Sequence, residues 1–283
     1  MSKQRAGESM LRAEDALVER ARRFYAEGRH PAPVRRAATV PLVRPGPAGA
    51  GGSEVYLIRR AARMTFGGRY AFPGGGVDPG DAEPELDWAG PGPAWWGDRL
   101  GLPPEEAQAV VCAAVREVFE EAGVLLAGPD PETVLGDVSG PEWEAARQAL
   151  VERRAGLADL LRDRRLTLRS DLLVPWSRWI TPEFEERRFD TYFLVALLPE
   201  GQLTRDVSGE ADHTLWLPPA EAVARAEAGE LSMLPPTRVT LAELAACGDP
   251  AALPAAAARR DPARPIMPKL ELTPGGVPRF SLD

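Results

Sequence analysis

The chain has little with which to build thiol or imidazole chemistry: two cysteines, Cys112 and Cys247, and two histidines, His30 and His213, in 283 residues. Two cysteines cannot furnish a four-cysteine zinc site, and a disulfide framework is implausible at this size. Both thiols are read as reduced and mostly buried. Each histidine stands alone, without the partner that a His-based nucleophile or a zinc site requires. No apolar run approaches the ~18 residues that cross a bilayer. The opening MSKQRAGESMLRAEDAL lacks the apolar core of a secretory signal. These absences predict a cytoplasmic protein with no membrane partner. Excess positive charge is missing too. Lys and Arg number 34 against 42 Asp and Glu, a formal net charge of −8. An acidic surface repels phosphate backbones, and no helix-turn-helix or basic recognition helix is apparent, so a nucleic-acid partner is not expected. A small anionic substrate remains open, because a bound divalent cation reverses the sign of the local field.

What the chain has in plenty is proline, 29, and glycine, 27, which predicts long ordered loops. Helical spacing runs from about Glu8 to Glu27 and is ended by Pro31 and Pro33. Residues 1–35 are therefore read as a helical extension, packing on the domain or on a second copy of the chain in a homodimer. A main domain over residues 36–247 follows. Residues 37–43 and 54–59 read as strands, and residues 69–72 lead into a glycine bend. The next stretch, DPGDAEPELDWAGPGPAWWGDRLG, has no period and reads as a long irregular loop. Its Trp88, Trp95 and Trp96 could stack on a base or cover an acyl chain, though anchoring the loop on the core is the simpler role.

Pro103, Pro104, Glu105 and Glu106 start a helix that should run to Ala122 and stop at Gly123. Two helices broken near Gly156 cover residues 142–164. Strands are expected over 172–180, 188–198 and 214–217, and helices over 218–229 and 236–247. The tail, residues 248–283, is rich in Ala, Pro and Arg and reads as loosely attached. Irregular alternation of strands and helices predicts an α/β fold, a mixed sheet sandwiched between helices rather than a doubly wound parallel sheet.

The chemistry concentrates in residues 116–124, REVFEEAGV. On a helix, Glu117, Glu120 and Glu121 share one face. Val111, Val115, Val118 and Ala122 form the opposite, buried one. Three acids at i, i+3 and i+4 repel one another, and a hard divalent cation would relieve that repulsion. Arg116, four residues before Glu120, is placed to orient the cluster. By itself this stretch more readily describes a solvated acidic face. The upstream bend, Phe72-Pro73-Gly74-Gly75-Gly76, adds a place where backbone groups can approach a metal or phosphate closely.

Together the two pieces resemble the Nudix box, G-x5-E-x7-R-E-U-x-E-E-x-G-U, with Gly75 as first glycine and Asp81 as first acid. Two departures stand out: Asp replaces Glu, and 34 residues separate Asp81 from Arg116 where the box has seven. Residues 72–81 fit F-P-G-G-x2-D-x2-D, a variant seen in Nudix enzymes that hydrolyse coenzyme A. The long spacer, with an insertion over about 82–103, is a feature of the subgroup resembling the mammalian peroxisomal coenzyme A diphosphatase. CAAVREVFEEAGVLLA and the RRFDT before an apolar strand are similar to that subgroup as well.

The resemblance implies a Nudix fold and a Nudix diphosphatase acting on a small nucleotide-type molecule. Coenzyme A or acyl-coenzyme A is the leading substrate, ADP-ribose or NADH the runner-up, and a catalytically silent nucleotide-binding module the reading of another class. It implies Mg²⁺ or Mn²⁺ held by Glu117, Glu120, Glu121 and the Gly75 carbonyl, with Arg116 completing the set. The general base is either a box glutamate (Glu117 or Glu120) or Glu210, with Asp212 a weaker rival. For the substrate, the candidates are Arg59, Arg60, Arg69, Arg187 and Arg188, which suit phosphates, together with Phe72, Gly74 and Gly76 at the bend.

Overall fold

The computed structural model describes residues 15–47, 52–61, 67–82, 86–205, 211–271 and 279–282. Helix α1 (Asp15–Ala26) buries Leu17, Val18 and Ala21; its expected first turns, residues 8–14, lie outside the described residues. Strands β1 (Val34–Thr39) and β2 (Leu42–Pro45) replace the single strand expected over 37–43. Pro41 stands between them, and a residue with no amide hydrogen interrupts a ladder. β3 (Ser53–Arg60), β4 (Tyr70–Ala71) and β5 (Gly74–Gly76) carry the chain into the glycine bend.

The stretch read as an irregular loop is not one. It holds a 3-10 turn at Pro79–Ala82, the short strand β6 (Trp88–Ala89) and helix α2 (Pro93–Leu100). Gly101 closes α2 at φ 67°, a left-handed conformation that glycine adopts without strain. Trp96 and Leu100 are fully buried in the core that the next helix shares. An eight-residue helix flanked by prolines and glycines is too short to print a 3.6-residue period, which is why composition concealed it.

Helix α3 (Pro104–Ala122) opens with Pro104, Glu105 and Glu106 at the positive end of its dipole. It ends where the Gly123 N–H, at φ 68°, closes on the Phe119 carbonyl. β7 (Ala127–Gly128), α4 (Pro141–Val151), α5 (Leu157–Asp163) and β8 (Thr167–Arg169) follow. Then come β9 (Leu173–Ile180), β10 (Arg188–Leu197) and β11 (Ala211–Leu217), and helices α6 (Pro219–Glu227) and α7 (Pro235–Cys247). Apart from the short strands β7 and β8, which the sequence did not announce, these lie within a few residues of their sequence-based positions.

The main sheet runs β11-β3-β2-β10-β1-β5, with β4 on β3 and β9 on β10. It is mixed: β1 and β2 are parallel to β10, whereas β3 is antiparallel to β2 and β11. Period-2 alternation assigns its two faces. Tyr56, Ile58, Tyr192 and Leu194 join α3 in one core; Val55, Leu57, Phe193 and Val195 face α6 and α7 in the other. The sheet is thus buried on both sides between helices, the expected α/β architecture. A second sheet, β6-β8-β7, ties the insertion to the chain after α3, pairing Trp88 and Ala127 with Leu168.

The tail also departs from expectation. Its helix α8 (Leu253–Ala258) buries Leu253, Ala256 and Ala257. Arg99 of α2 donates to the carbonyls of Ala257 and Arg260 at 3.2 Å, and the Arg260 guanidinium lies 3.7 Å over the Trp176 ring. Ile266 bridges to Trp179 before strands β12 (Lys269–Glu271) and β13 (Arg279–Ser281) pair with each other. Alanines pack closely yet leave no stripe that periodicity can detect.

The insertion should therefore contribute to stability. Trp96→Ala is expected to cost about 3–5 kcal/mol. Trp95→Ala, whose ring is half-exposed and stacked edge-on against Trp96, should cost no more than about 1.5 kcal/mol. Denaturant unfolding measures both, and equal small losses would remove the insertion from the core.

Candidate active site

Burial of Val111, Val115 and Val118 against the sheet fixes the rotation of α3 and turns its acids toward the bend at β5. β5 pairs antiparallel with β1, setting Gly75 opposite Ala38 and Gly74 opposite Thr39. The approach is close enough to specify glycine. A Cβ at Gly75 would overlap the Glu117 carboxylate, and one at Gly74 would overlap the Ala38 carbonyl and the Thr39 side chain. A Cβ at Gly76 would meet nothing nearer than the Arg36 carbonyl at 4.0 Å. The Gly74 N–H donates to Oε2 of Glu121 at 2.7 Å, joining bend and helix directly.

Arg116 is the hub. Its Nε and Nη2 donate to the two Asp81 oxygens, each at 2.9 Å, in a bidentate pair. Nη2 also reaches the Gly76 carbonyl at 2.8 Å, and Nη1 donates to Oε1 of Glu117 at 2.9 Å and of Glu120 at 3.1 Å. Asp81, itself only 3% exposed, further accepts from the Asp78 N–H at 2.8 Å. The two halves of the motif therefore meet despite the residues inserted between them. Sequence reasoning gave Asp81 a place in the pattern but no partner, and 34 residues of separation carried no signal of one.

Burial of Arg116 would by itself lower its pKa, but the hydrogen bonds to Asp81 and the charges of Glu117, Asp81 and Glu120 outweigh it and hold the guanidinium charged. Burial pushes the Glu117 carboxyl well above the usual range, with Glu121 and Glu120 adding repulsion that Arg116 only partly offsets. Glu120 is raised by burial as well, again against Arg116. Carboxylates held together in this way favour a cation, and three of them beside a Cβ-free backbone are a hard oxygen donor set of the kind that suits a divalent cation. Among the described residues no three acidic, histidine or cysteine side chains are already closed into a ligating arrangement. Glu117 and Glu120 lean on Arg116, and Glu121 on the Gly74 amide. A cation would compete with those bonds.

Two cavities adjoin the bend and share Arg60 and Gly74–Gly76 as walls. The polar one, about 410 Å³, is bounded by the three glutamates, Arg116, Asp78 and Arg153. The other, about 300 Å³, is mainly apolar and is bounded by Phe72, Arg69, Trp179 and residues of α1 and α7. Of the substrate candidates, Phe72, Arg69, Arg60, Gly74 and Gly76 line these cavities. Arg59, one position along β3, projects the other way and pairs with Asp212 at 2.6 Å. Arg188 lines neither cavity; it donates to the carbonyls of Thr181 and Ala32 at 3.1 and 3.0 Å, a bracing role between segments. Glu210 lies outside the described residues. Arg153, following α4 and paired with Asp78 at 3.3 Å, was not anticipated, since nothing in its local sequence distinguishes it from other surface arginines.

Residues 97–244 match the family described as the NUDT19 Nudix domain. The chain is similar to the acyl-coenzyme A diphosphatase NUDT19 of Gallus gallus, 31% identical over 261 residues, covering 76% of this chain and 68% of that protein. It is also similar to the putative nudix hydrolase 7 of Caenorhabditis elegans, 28% identical over 197 residues, covering 69% of this chain and 57% of that protein. The chain thus spans between 57% and 68% of the length of these relatives. Among solved structures, a NUDIX hydrolase from Alicyclobacillus acidocaldarius superimposes with a TM-score of 0.63 at 30% identity, covering 79% of this chain and 96% of that one.

The packing at the bend gives a sharp contrast to measure. Gly75→Ala must displace the Glu117 carboxylate and should destabilise the protein by about 1–3 kcal/mol, whereas Gly76→Ala, with open space around it, should change stability by less than about 1 kcal/mol. Equal unfolding midpoints for the two variants would contradict the close approach of β5 to α3.

Proposed function

Because this chain belongs to the Nudix hydrolases, on the branch described by the NUDT19 Nudix domain, we propose that it hydrolyses the diphosphate linkage of coenzyme A or acyl-coenzyme A. The observation that carries the reading is the joined motif: Asp81 and Gly76 bound to Arg116, and Gly74 bound to Glu121, across the long spacer. The NUDT19 protein of Gallus gallus is named an acyl-coenzyme A diphosphatase, which supports the choice of substrate.

Glu117, Glu120 and Glu121, with the Gly75 carbonyl, are the groups that would hold Mg²⁺ or Mn²⁺. When bound, the metal supplies neutralisation of the diphosphate and a more acidic attacking water. The chain does the positioning. Arg116 holds Glu117 and Glu120 at one guanidinium nitrogen and keeps the bend against the helix. Arg60 and Arg153 give the polar cavity positive walls suited to phosphate oxygens. Water attacks one phosphorus in line, the bridging P–O bond breaks, and the bridging oxygen leaves on the other phosphate. The products are (acyl-)4′-phosphopantetheine and adenosine 3′,5′-bisphosphate. The water's proton passes to a box glutamate (Glu117 or Glu120) or to Glu210. Among the described residues no helix is long and apolar enough to cross a membrane, and the reading includes a cytoplasmic enzyme acting alone or as a homodimer.

The test is a product assay with Mg²⁺ or Mn²⁺ over coenzyme A, acyl-coenzyme A, NADH, ADP-ribose and nucleoside triphosphates. Glu120→Gln is expected to lose more than about a hundredfold in kcat/KM, since even indirect partners of a metal cost 10–100-fold. Full activity in that variant would eliminate the carboxylate mechanism. Robust ADP-ribose or NADH hydrolysis without cleavage of coenzyme A would move the substrate assignment there, and silence on every compound with nucleotide binding retained would make the chain a regulatory module. Glu210→Gln, read in the same assay, separates a distal base from a box base: retention of wild-type kcat assigns the role to the helix.

A further inference from the structure

The apolar cavity draws most of its walls from outside the two pieces of the motif. Its floor is the shared bend, but its sides come from Phe72, Trp179, Phe189 and Phe193, and its far wall from α1 and the tail, through Leu17, Arg20 and Pro268. α1 contributes to this cavity and not to the polar one. The helix is also fastened separately from the two main cores. Leu17, Val18 and Ala21 form a small cluster of their own with Phe184, with Leu270 against it, and Arg20 pairs with Glu185 at 3.1 Å. Such a wall can differ between otherwise similar chains without disturbing the sheet.

Two substituents leave the diphosphate of coenzyme A, the adenosine and the pantetheine arm, and the cavity's chemistry separates them. Among the described residues no aspartate, asparagine or glutamine lines it, and asparagine and glutamine are the side chains that commonly read the edge of adenine. Phe72 and Phe193 meet edge-to-face at 90°, so these two rings do not present parallel faces between which a base could lie. What the described walls offer instead is mainly apolar surface, broken by the hydroxyl-bearing side chains of Thr39, Thr181, Thr191 and Thr237 and by the charged Arg20, Arg60, Arg69 and Glu185. That pattern suits a linear arm of methylenes interrupted by amides.

We propose, resting on the coenzyme A reading above, that this cavity receives the pantetheine arm of the substrate and that α1, through Leu17 and Arg20, is the stop against which the arm's thiol or acyl end abuts. Acyl-chain selectivity then resides in the amino-terminal extension and not in the Nudix core. A cavity of about 300 Å³ has room for on the order of ten water-sized or methylene-sized groups. The arm has more heavy atoms than that, so its proximal part lies toward the shared bend, its far end reaches α1 before any acyl chain is added, and acyl chains must displace or pass the helix.

Two measurements test this. Leu17→Trp, which pushes bulk into the cavity, and Leu17→Ala, which opens it, are assayed for kcat/KM across coenzyme A and its acetyl, octanoyl and dodecanoyl thioesters. The ratio of dodecanoyl to free coenzyme A should fall at least about tenfold in Leu17→Trp and rise in Leu17→Ala, the scale on which methylene-sized changes act in an apolar pocket. Arg20→Ala, which removes only a half-exposed ion pair, should shift the ratio as Leu17→Ala does, and it guards against a misfolded Leu17 variant. In parallel, calorimetric titration with each product, in Mg²⁺, should show Leu17→Trp weakening 4′-phosphopantetheine at least about tenfold and leaving adenosine 3′,5′-bisphosphate within about twofold. The reverse pattern would hand the cavity to the nucleobase and overturn the proposal, as would an unchanged chain-length profile in all three variants. A wild-type protein that does not cleave coenzyme A at all fails the substrate reading instead, a result visible before any variant is made.

Discussion

Arg116 is charged and almost entirely enclosed, and the rest of the site depends on how that charge is accommodated. A guanidinium withdrawn from water must be met on every side by acceptors. Here the acceptors are Asp81, the Gly76 carbonyl, Glu117 and Glu120. They come from both sides of the inserted segment, so the same contacts that satisfy the arginine close the distance between bend and helix. Leaving either member of such a buried pair alone costs about 3–5 kcal/mol. Arg116 thereby holds like-charged glutamates closer than they would stand unaided. The raised affinity of Glu117 for protons comes first from its burial, and the nearness of Glu121 and Glu120 adds to it.

The sheet supplies the rigidity behind this arrangement. Because β3 and β10 are apolar on both faces, each side chain along them is committed to one core or the other. A one-residue slip would exchange the faces and swing the Ala38–Gly75 pairing away from α3. Register and site geometry are therefore one constraint. The acidic overall balance of the chain is offset locally at the polar cavity by arginines drawn from β3 and from the turn after α4.

What could be read in advance follows the range over which each signal acts. α3 was legible to its last residue because nineteen residues give five turns of periodic burial with a proline start and a glycine stop. The three glutamates followed from the same period. Helix α2 was not legible, since its eight residues fall below the length at which a period shows. The tail was misread because alanine-rich helices bury surface without advertising a face. Of the residues named for a substrate, Phe72, Gly74, Gly76, Arg60 and Arg69 line the cavities while Arg59 and Arg188 do not. Strand alternation puts Arg59 and Arg60 on opposite sides, and composition alone cannot say which side the ligand occupies. Arg153 and the Asp81–Arg116 clamp depend on contacts across many tens of residues, which no local pattern encodes.

The seam between Asp81 and Arg116 has one more implication. Ring closure over a flexible segment grows only with the logarithm of its length, so spanning 34 residues in place of seven adds on the order of 1.4 kcal/mol. The fully enclosed Trp96 ring alone can compensate for that amount. Distance along the chain between the two parts is thus almost unconstrained by thermodynamics, while their separation in space is fixed by a guanidinium and a carboxylate. A search demanding contiguous text would pass over such proteins. One that asks whether a buried arginine on an acidic helix meets an aspartate just beyond a glycine bend would find them, whatever length of chain lies in between.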